Sequence, residues 1–283
     1  MGMANVLSRQ ITRGGVTTIL ILSVAFSSCR CEVSTEYAPS ATVIRTREII
    51  SKERFIIHAA GFVQNAAGEQ IPYTNSRDAL LNCYADGNKI SEIDFRISSD
   101  GFLVCTHEWN QVYKDGAPLS GAVTQAEFLT CKISGEFTAM TLSDLALFMR
   151  EAEDFRIVTD IKDNNIAGCA IIARTCPDLL DRFIIQIYHA DEYDIIRALG
   201  FRNIIYTLYR TSESERNPAV LEKFAQTHPL VGFTYWDSWA DTYFDTCKRM
   251  GIPSFVHTVN DREKREEFLR AGVAAVYTDV TNN

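Results

Sequence analysis

Hydrophobic and polar positions from residue 54 onward follow two alternating periods. Short apolar or period-two runs lie at Arg54–His58, Lys89–Arg96, Leu103–His107, Arg156–Ile161, Phe183–Tyr188, Asn203–Thr207, Leu230–Phe233, Ser254–Val259 and Ala274–Tyr277, and each reads as a strand. Apolar residues at helical spacing fill most of the gaps, over Ser76–Ala85, Thr141–Glu153, Glu192–Leu199, Pro218–Thr227, Trp239–Met250 and Asp261–Ala271. Strands that alternate with helices give a parallel sheet. Nine runs are one too many for a closed eight-stranded sheet. Only residues 97–102, with Ser98-Ser99-Asp100-Gly101 at their centre, separate the second run from the third, and Asp-Gly is a hairpin signal. The pattern therefore predicts an α/β fold of the (β/α)8 TIM type, distorted near its second and third strands.

The first residues follow a different pattern. Arg9 and Arg13 precede the apolar stretch Val16–Phe26, which is too short to cross a bilayer, and Ser27 and Ser28 lead into Cys29. Phe26-Ser27-Ser28-Cys29 resembles a bacterial lipobox, with Phe26 where that motif usually carries Leu. Residues 1–28 thus read as a lipoprotein-like signal peptide, 29–50 as a spacer and 51–283 as the barrel domain. An ordinary secretory signal cleaved nearby is the competing reading, and an uncleaved anchor is a third. The expected location is outside the cytoplasm, in the cell envelope through a lipidated Cys29 or in the extracellular medium.

Composition narrows the classes. The chain of 283 residues carries 28 Lys and Arg against 36 Asp and Glu, a net charge of −8. That excludes a broad nucleic-acid-binding face, which requires basic surface. None of the eight cysteines forms a CxxC pair, which excludes a structural zinc of finger type. Cys83 and Cys105 read as small buried hydrophobes, whereas Cys131, Cys169 and Cys176 are the bridge candidates if the chain is exported.

Chemistry appears at the strand ends. His58 follows the apolar Phe55-Ile56-Ile57, and His107 ends the run that begins at Leu103. Period two puts Glu92 and Asp94 on one face of their strand, and Asp160 and Lys162 on one face of theirs. A lone histidine at a strand end is usually a capping residue, and an acid that alternates with apolar residues usually faces solvent. Those readings weaken when they must hold on several strands at once, because active sites of such barrels sit at the C-terminal strand ends. Three carboxylates suit a hard cation such as Ca²⁺ or Mg²⁺, and two histidines beside it suit paired acid and base work.

These motifs resemble one family. His58, Asn75-Ser76, Gly87, Glu92-Ile93-Asp94, Asp100-Gly101 and Val104-Cys105-Thr106-His107-Glu108-Trp109 look like the N-terminal half of the glycerophosphodiester phosphodiesterases. Val256-His257-Thr258-Val259-Asn260-Asp261, Ala271-Gly272-Val273 and Tyr277-Thr278-Asp279 are similar to that family's closing segment. The resemblance implies that His58 and His107 are catalytic, that Glu92, Asp94 and Asp160 hold a divalent cation, and that Lys162 faces the phosphate. Two departures matter. The family's His-Arg-Gly opening is His58-Ala59-Ala60-Gly61 here, so an arginine expected on the phosphate is missing. Asp160 stands where the family usually has Glu, and Glu108 where it has Asp.

The implied reaction is phosphodiester cleavage, with one histidine deprotonating the attacking oxygen and the other protonating the leaving alkoxide. The substrate would be a small-molecule or lipid-derived phosphodiester. Gln186 and Trp236 are candidates for lining its site, with Tyr188 and His189 as weaker ones. Asn75 and Ser76 read as helix caps, and His228 has no visible partner. His257 stands where relatives often carry Trp. Two other function classes fit less well: a metal-independent lyase of the phosphatidylinositol phospholipase C kind, and an inactive barrel that binds an envelope ligand.

Overall fold

The computed structural model describes residues 38–280. The leader over 1–28, Cys29 and Cys31 lie outside the described residues. Among those described, no helix is long and apolar enough to cross a membrane.

Eight parallel strands close into a barrel: β1 (Phe55–Ile57), β2 (Ile90–Ile97), β3 (Arg156–Ile161), β4 (Phe183–Ile187), β5 (Ile204–Thr207), β6 (Gly232–Trp236), β7 (Ser254–His257) and β8 (Ala275–Thr278). Closure comes from β1, which pairs with β8 on one side and β2 on the other. The surplus ninth run is the hairpin that its Asp-Gly turn announces. Leu103–Cys105 pairs antiparallel to β2, with Phe95 opposite Cys105 and Ile97 opposite Leu103. The excursion before β3 also holds a small four-stranded antiparallel sheet between Val112 and Thr138.

Each barrel strand has two buried faces, as parallel strands under helices must. Ile57, Ile93, Phe95, Ile157, Ile161, Ile185 and Ile187 pack outward beneath the helices. Ile56, Ile90, Val158, Ile184, Ile205, Phe255 and Tyr277 form a separate cluster of the opposite parity, which is the apolar floor of the barrel. Gly232 makes room for it. A Cβ there would stand 2.3 Å from Phe255 Cε2 and 2.6 Å from the Pro253 carbonyl oxygen.

The spacer read over 29–50 is corrected in its second half. Ala41–Glu53 is a helix, capped by Ser40. Its Val43 and Ile50 belong to the floor cluster, and Arg47 donates to the Leu230 carbonyl at 3.0 and 2.5 Å. The few apolar positions among Thr, Arg and Glu conceal it, because only one stripe is buried. The bridge candidates are corrected as well. Cys131, Cys169 and Cys176 are free and buried, as are Cys83, Cys105 and Cys247. A second helix, Asn165–Thr175, also lies beyond the helical runs recognised in the sequence.

Candidate active site

The floor residues locate the site by simple counting. Two positions further along seven strands stand His58, Glu92, Asp160, Gln186, Thr207, His257 and Asp279, and two further again on three of them Asp94, Lys162 and Tyr188. The chain direction carries all of these toward the C-terminal mouth of the barrel, and nearly all are buried. Apolar floor and polar upper layer arise from one period-two pattern.

His58 leaves β1 on a turn over His58–Ala60 in which Ala59 and Ala60 take φ values of 47° and 65°. That region is sparsely populated for residues with a Cβ. The turn aims the Ala59 N–H at Glu92 Oε2, 2.9 Å away. His58 Nδ1 lies 2.8 Å from Asp279 Oδ1, and its Nε2 lies 3.8 Å from Glu92 Oε2. Asp279 is held in turn by Asn260 at 2.6 Å.

The carboxylates converge. Glu92, Asp94 and Asp160 each place one oxygen within 4.8 Å of the others. Asp94 is gripped by Asn75, which donates Nδ2 to Oδ2 at 2.8 Å and accepts the Asp94 N–H at 2.9 Å. The helix cap falls to Ser76 alone, so the capping role read for Asn75 is corrected. Asp160 accepts the Tyr188 hydroxyl at 2.5 Å, the Arg210 guanidinium at 3.0 Å and Lys162 Nζ at 2.7 Å. Lys162 Nζ is also 2.7 Å from Asp94 Oδ1, an ion pair off the axis of a hydrogen bond.

These charges set the titration of the cluster. Burial, followed by the charges of Asp94 and Asp160, pushes the Glu92 carboxyl well above its ordinary range. Burial works the same way on Asp160, but Lys162, Tyr188 and Arg210 outweigh it and hold that carboxyl below the usual value. Burial lowers Lys162, and the three carboxylates more than reverse it. The donor set fits a divalent cation. Its oxygens can share ligand distances of about 2.3–2.6 Å, and Glu92 Oε1 is buried without a hydrogen-bond partner among the described residues. An orphaned carboxylate oxygen among like charges is costly unless a cation satisfies it.

The second predicted histidine lies in the loop past Leu103–Cys105 rather than on a strand. Its backbone carbonyl accepts Arg96 Nε at 2.9 Å, and Arg96 also binds Glu108 and Asp163. The half-buried His107 ring packs edge-on against Tyr73 at 4.7 Å between centroids, and Tyr73 packs edge-on against His58 at 4.5 Å. Both histidines therefore flank one tyrosine at the mouth. Burial lowers His107, with Asp94 opposing. Gln186 accepts the Thr207 hydroxyl at 2.5 Å, while its Nε2 is buried without a hydrogen-bond partner among the described residues. Trp236 stands at the rim, 38% exposed, stacked on Tyr209 at 4.4 Å. His228, without a visible partner in the sequence, stacks on Phe224 and bonds to its carbonyl, far from the site in role.

Asp279, Tyr73, Asn75 and Arg210 enter the site without having been singled out as members of it. Asp279 was legible, two positions past the floor residue Tyr277. Tyr73 and Arg210 lie on loops and turns, where no period reports direction.

The sequence over residues 65–283 matches the profile of the Glycerophosphoryl diester phosphodiesterase family. The chain belongs to that family. It is thus a phosphodiester hydrolase. Among solved structures, this phosphodiesterase is similar to a glycerophosphodiester phosphodiesterase from Thermotoga maritima, at 18% identity and a TM-score of 0.60 over 81% of this chain and 95% of that one. It is also similar to one from Parabacteroides distasonis, at 19% identity and 0.60 over 81% and 94%. A third is an Oleispira antarctica phosphodiesterase in complex with the product sn-glycerol-3-phosphate, at 17% identity and 0.60 over 81% and 94%. At these identities the likeness is one of fold, the (β/α)8 barrel. No curated protein sequence matches the chain.

Proposed function

We propose that this phosphodiesterase hydrolyses glycerophosphodiesters or related envelope phosphodiesters, with a divalent cation held by Glu92, Asp94 and Asp160 and with His58 and His107 as the proton-transfer pair. The observation that carries the reading is the convergence of three carboxylates within 4.8 Å, one of them with an unpartnered buried oxygen and a histidine nitrogen 3.8 Å away. When bound, the cation, Ca²⁺ or Mg²⁺, supplies positive charge for phosphate oxygens as negative charge develops on them.

The chain's own residues do the rest. His58, with Nδ1 committed to Asp279, exchanges a proton at Nε2, the nitrogen that faces Glu92. His107, half exposed in the mouth, exchanges the other proton at the second oxygen of the diester. Lys162 adds a positive charge, favoured by the carboxylates around it. Gln186 offers its free Nε2 to a substrate oxygen, and Trp236 presents an exposed aromatic face to the alcohol moiety.

Release of glycerol 3-phosphate from a panel of glycerophosphodiesters, with Ca²⁺, Mg²⁺ or EDTA, tests this reading. Release that depends on the cation is expected. Cleavage of phosphatidylinositol that resists EDTA favours the lyase reading, for which Lys162 bridging Asp94 and Asp160 could serve as the built-in cation. Binding of phosphodiesters without turnover favours the inactive barrel. The leader supports export and lipidation at Cys29, and palmitate labelling that is lost in Cys29→Ser tests it.

A further inference from the structure

A phosphodiester needs a fixed donor set as well as a cation. In the turn that follows His58, Ala59 is fully buried and its N–H is spent on Glu92. The turn after β1 therefore brings His58 to the mouth but no cationic side chain from Ala59 or Ala60. Lys162 does not fill that place, because its ammonium is shared by two carboxylates at 2.7 Å each.

The opposite side of the mouth has what the first lacks. Arg210 ends the turn Leu208–Arg210, which leaves β5. Its guanidinium lies 3.9 Å above the ring of Tyr188, and Nη1 donates to Asp160 Oδ1 at 3.0 Å. The aromatic face fixes the plane of the fork. A guanidinium carries five N–H donors; Asp160 Oδ1 and the Tyr188 side chain engage part of the fork, which leaves donors over for a ligand. The side chain is 37% exposed while bonded to Asp160, so part of the fork is open to solvent beside the carboxylate cluster. A planar fork held beside the cation site matches two phosphate oxygens.

We propose that Arg210, on the turn that leaves β5, is the residue whose guanidinium binds the substrate phosphate of this enzyme. The proposal rests on the phosphodiesterase reading and adds the residue that holds the phosphate. A purely positional role, steadying Asp160, is the rival to be separated from it.

The test compares wild type with Arg210→Ala and Arg210→Lys by calorimetry, using two probes separately: sn-glycerol 3-phosphate and the metal alone. Arg210→Ala is expected to weaken glycerol 3-phosphate binding and raise KM by about 10- to 100-fold, the loss typical of a charged hydrogen-bond pair. Arg210→Lys should recover only part of this, because a point charge lacks the fork. Metal affinity should stay within a few-fold of wild type in both. If metal affinity falls while glycerol 3-phosphate affinity holds, Arg210 only positions Asp160 and the proposal is overturned. Full recovery by Lys would overturn the fork geometry. A wild type that neither cleaves nor binds any phosphodiester would fail the underlying reading itself, an outcome distinct from the variant comparisons. If the Ala variant does not fold, the Lys variant and Arg210→Gln carry the same comparison.

Discussion

His58 Nδ1 and Asp279 Oδ1 stand 2.8 Å apart, although 221 residues separate them in the chain. The first and last strands of the barrel are neighbours, so closure of the sheet itself builds the pair. The carboxylate accepts the Nδ1 proton and thereby selects the tautomer whose Nε2 is free at the site. Arranged this way, His58→Ala and His107→Ala should each lower kcat by at least about 10²-fold. Both proteins should keep their fold and their metal affinity. Asp279→Asn should lower kcat by about tenfold or more with little change in KM, since it weakens the support of His58 and touches neither the carboxylate cluster nor the substrate. Steady-state kinetics on a glycerophosphodiester decide this, and near-full activity in His107→Ala would defeat the paired mechanism.

The grip of Asn75 on Asp94 leads to a prediction about the cation. Ca²⁺ or Mg²⁺ at about 100 times its Kd should stabilise the protein by about 2.7 kcal/mol, and EDTA should remove the gain. Asp94→Ala should abolish it. Asn75→Ala should weaken metal affinity by about 10- to 100-fold, as loss of an outer partner that orients a ligand does. Thermal shift against metal concentration measures all three. An Asn75→Ala protein with wild-type affinity would show that Asp94 is placed by its strand alone.

Much of this site could be read from the chain because barrel strands obey one period. Glu92, Asp94 and Asp160 were legible as members of one face, and that face turned out to be the barrel interior beyond the floor residues Ile90 and Val158. The same rule reaches Asp279 and His257. It stops where the chain leaves the sheet. Tyr73 sits in a loop at φ 66°, and Arg210 on a turn, so neither direction follows from spacing. The helix Ala41–Glu53 stayed hidden for another reason. It buries only a narrow stripe against the barrel floor, while its other residues are those of an ordinary solvated segment. Asn75 has the composition of a cap, and only the fold reveals that its amide is turned to Asp94.

Packing at the floor gives a stability prediction. Gly232→Ala should cost about 1–3 kcal/mol, the range for overpacking a filled core, because the new methyl would meet Phe255 and the Pro253 carbonyl. Urea unfolding measures it. The double variant Gly232→Ala with Phe255→Leu should recover part of the loss if the clash is with that ring. An unchanged midpoint in the single variant would mean that the floor has slack.

The last prediction concerns acid. His257 is buried among His58, Tyr209, Trp236 and Tyr277, with ring centroids 4.9 to 5.3 Å away. Burial, then the nearby His58 and Lys162, drives its pKa well below 6.5. The sign follows from proton binding. Below about pH 6.5 the unfolded chain takes up a proton on His257 that the folded protein refuses, so acidification favours unfolding. Stability from this residue is complete above that pH and declines by up to about 1.4 kcal/mol for each unit below it. His257→Phe keeps a ring in the cluster and removes the proton. Urea unfolding of both proteins at pH 7.5 and 5.5 isolates the effect, since every other titrating group is common to the two. Wild type should lose more stability than His257→Phe between these values. Equal losses would mean that His257 charges freely in the folded protein, and the closed aromatic packing around it would then have to be open to water.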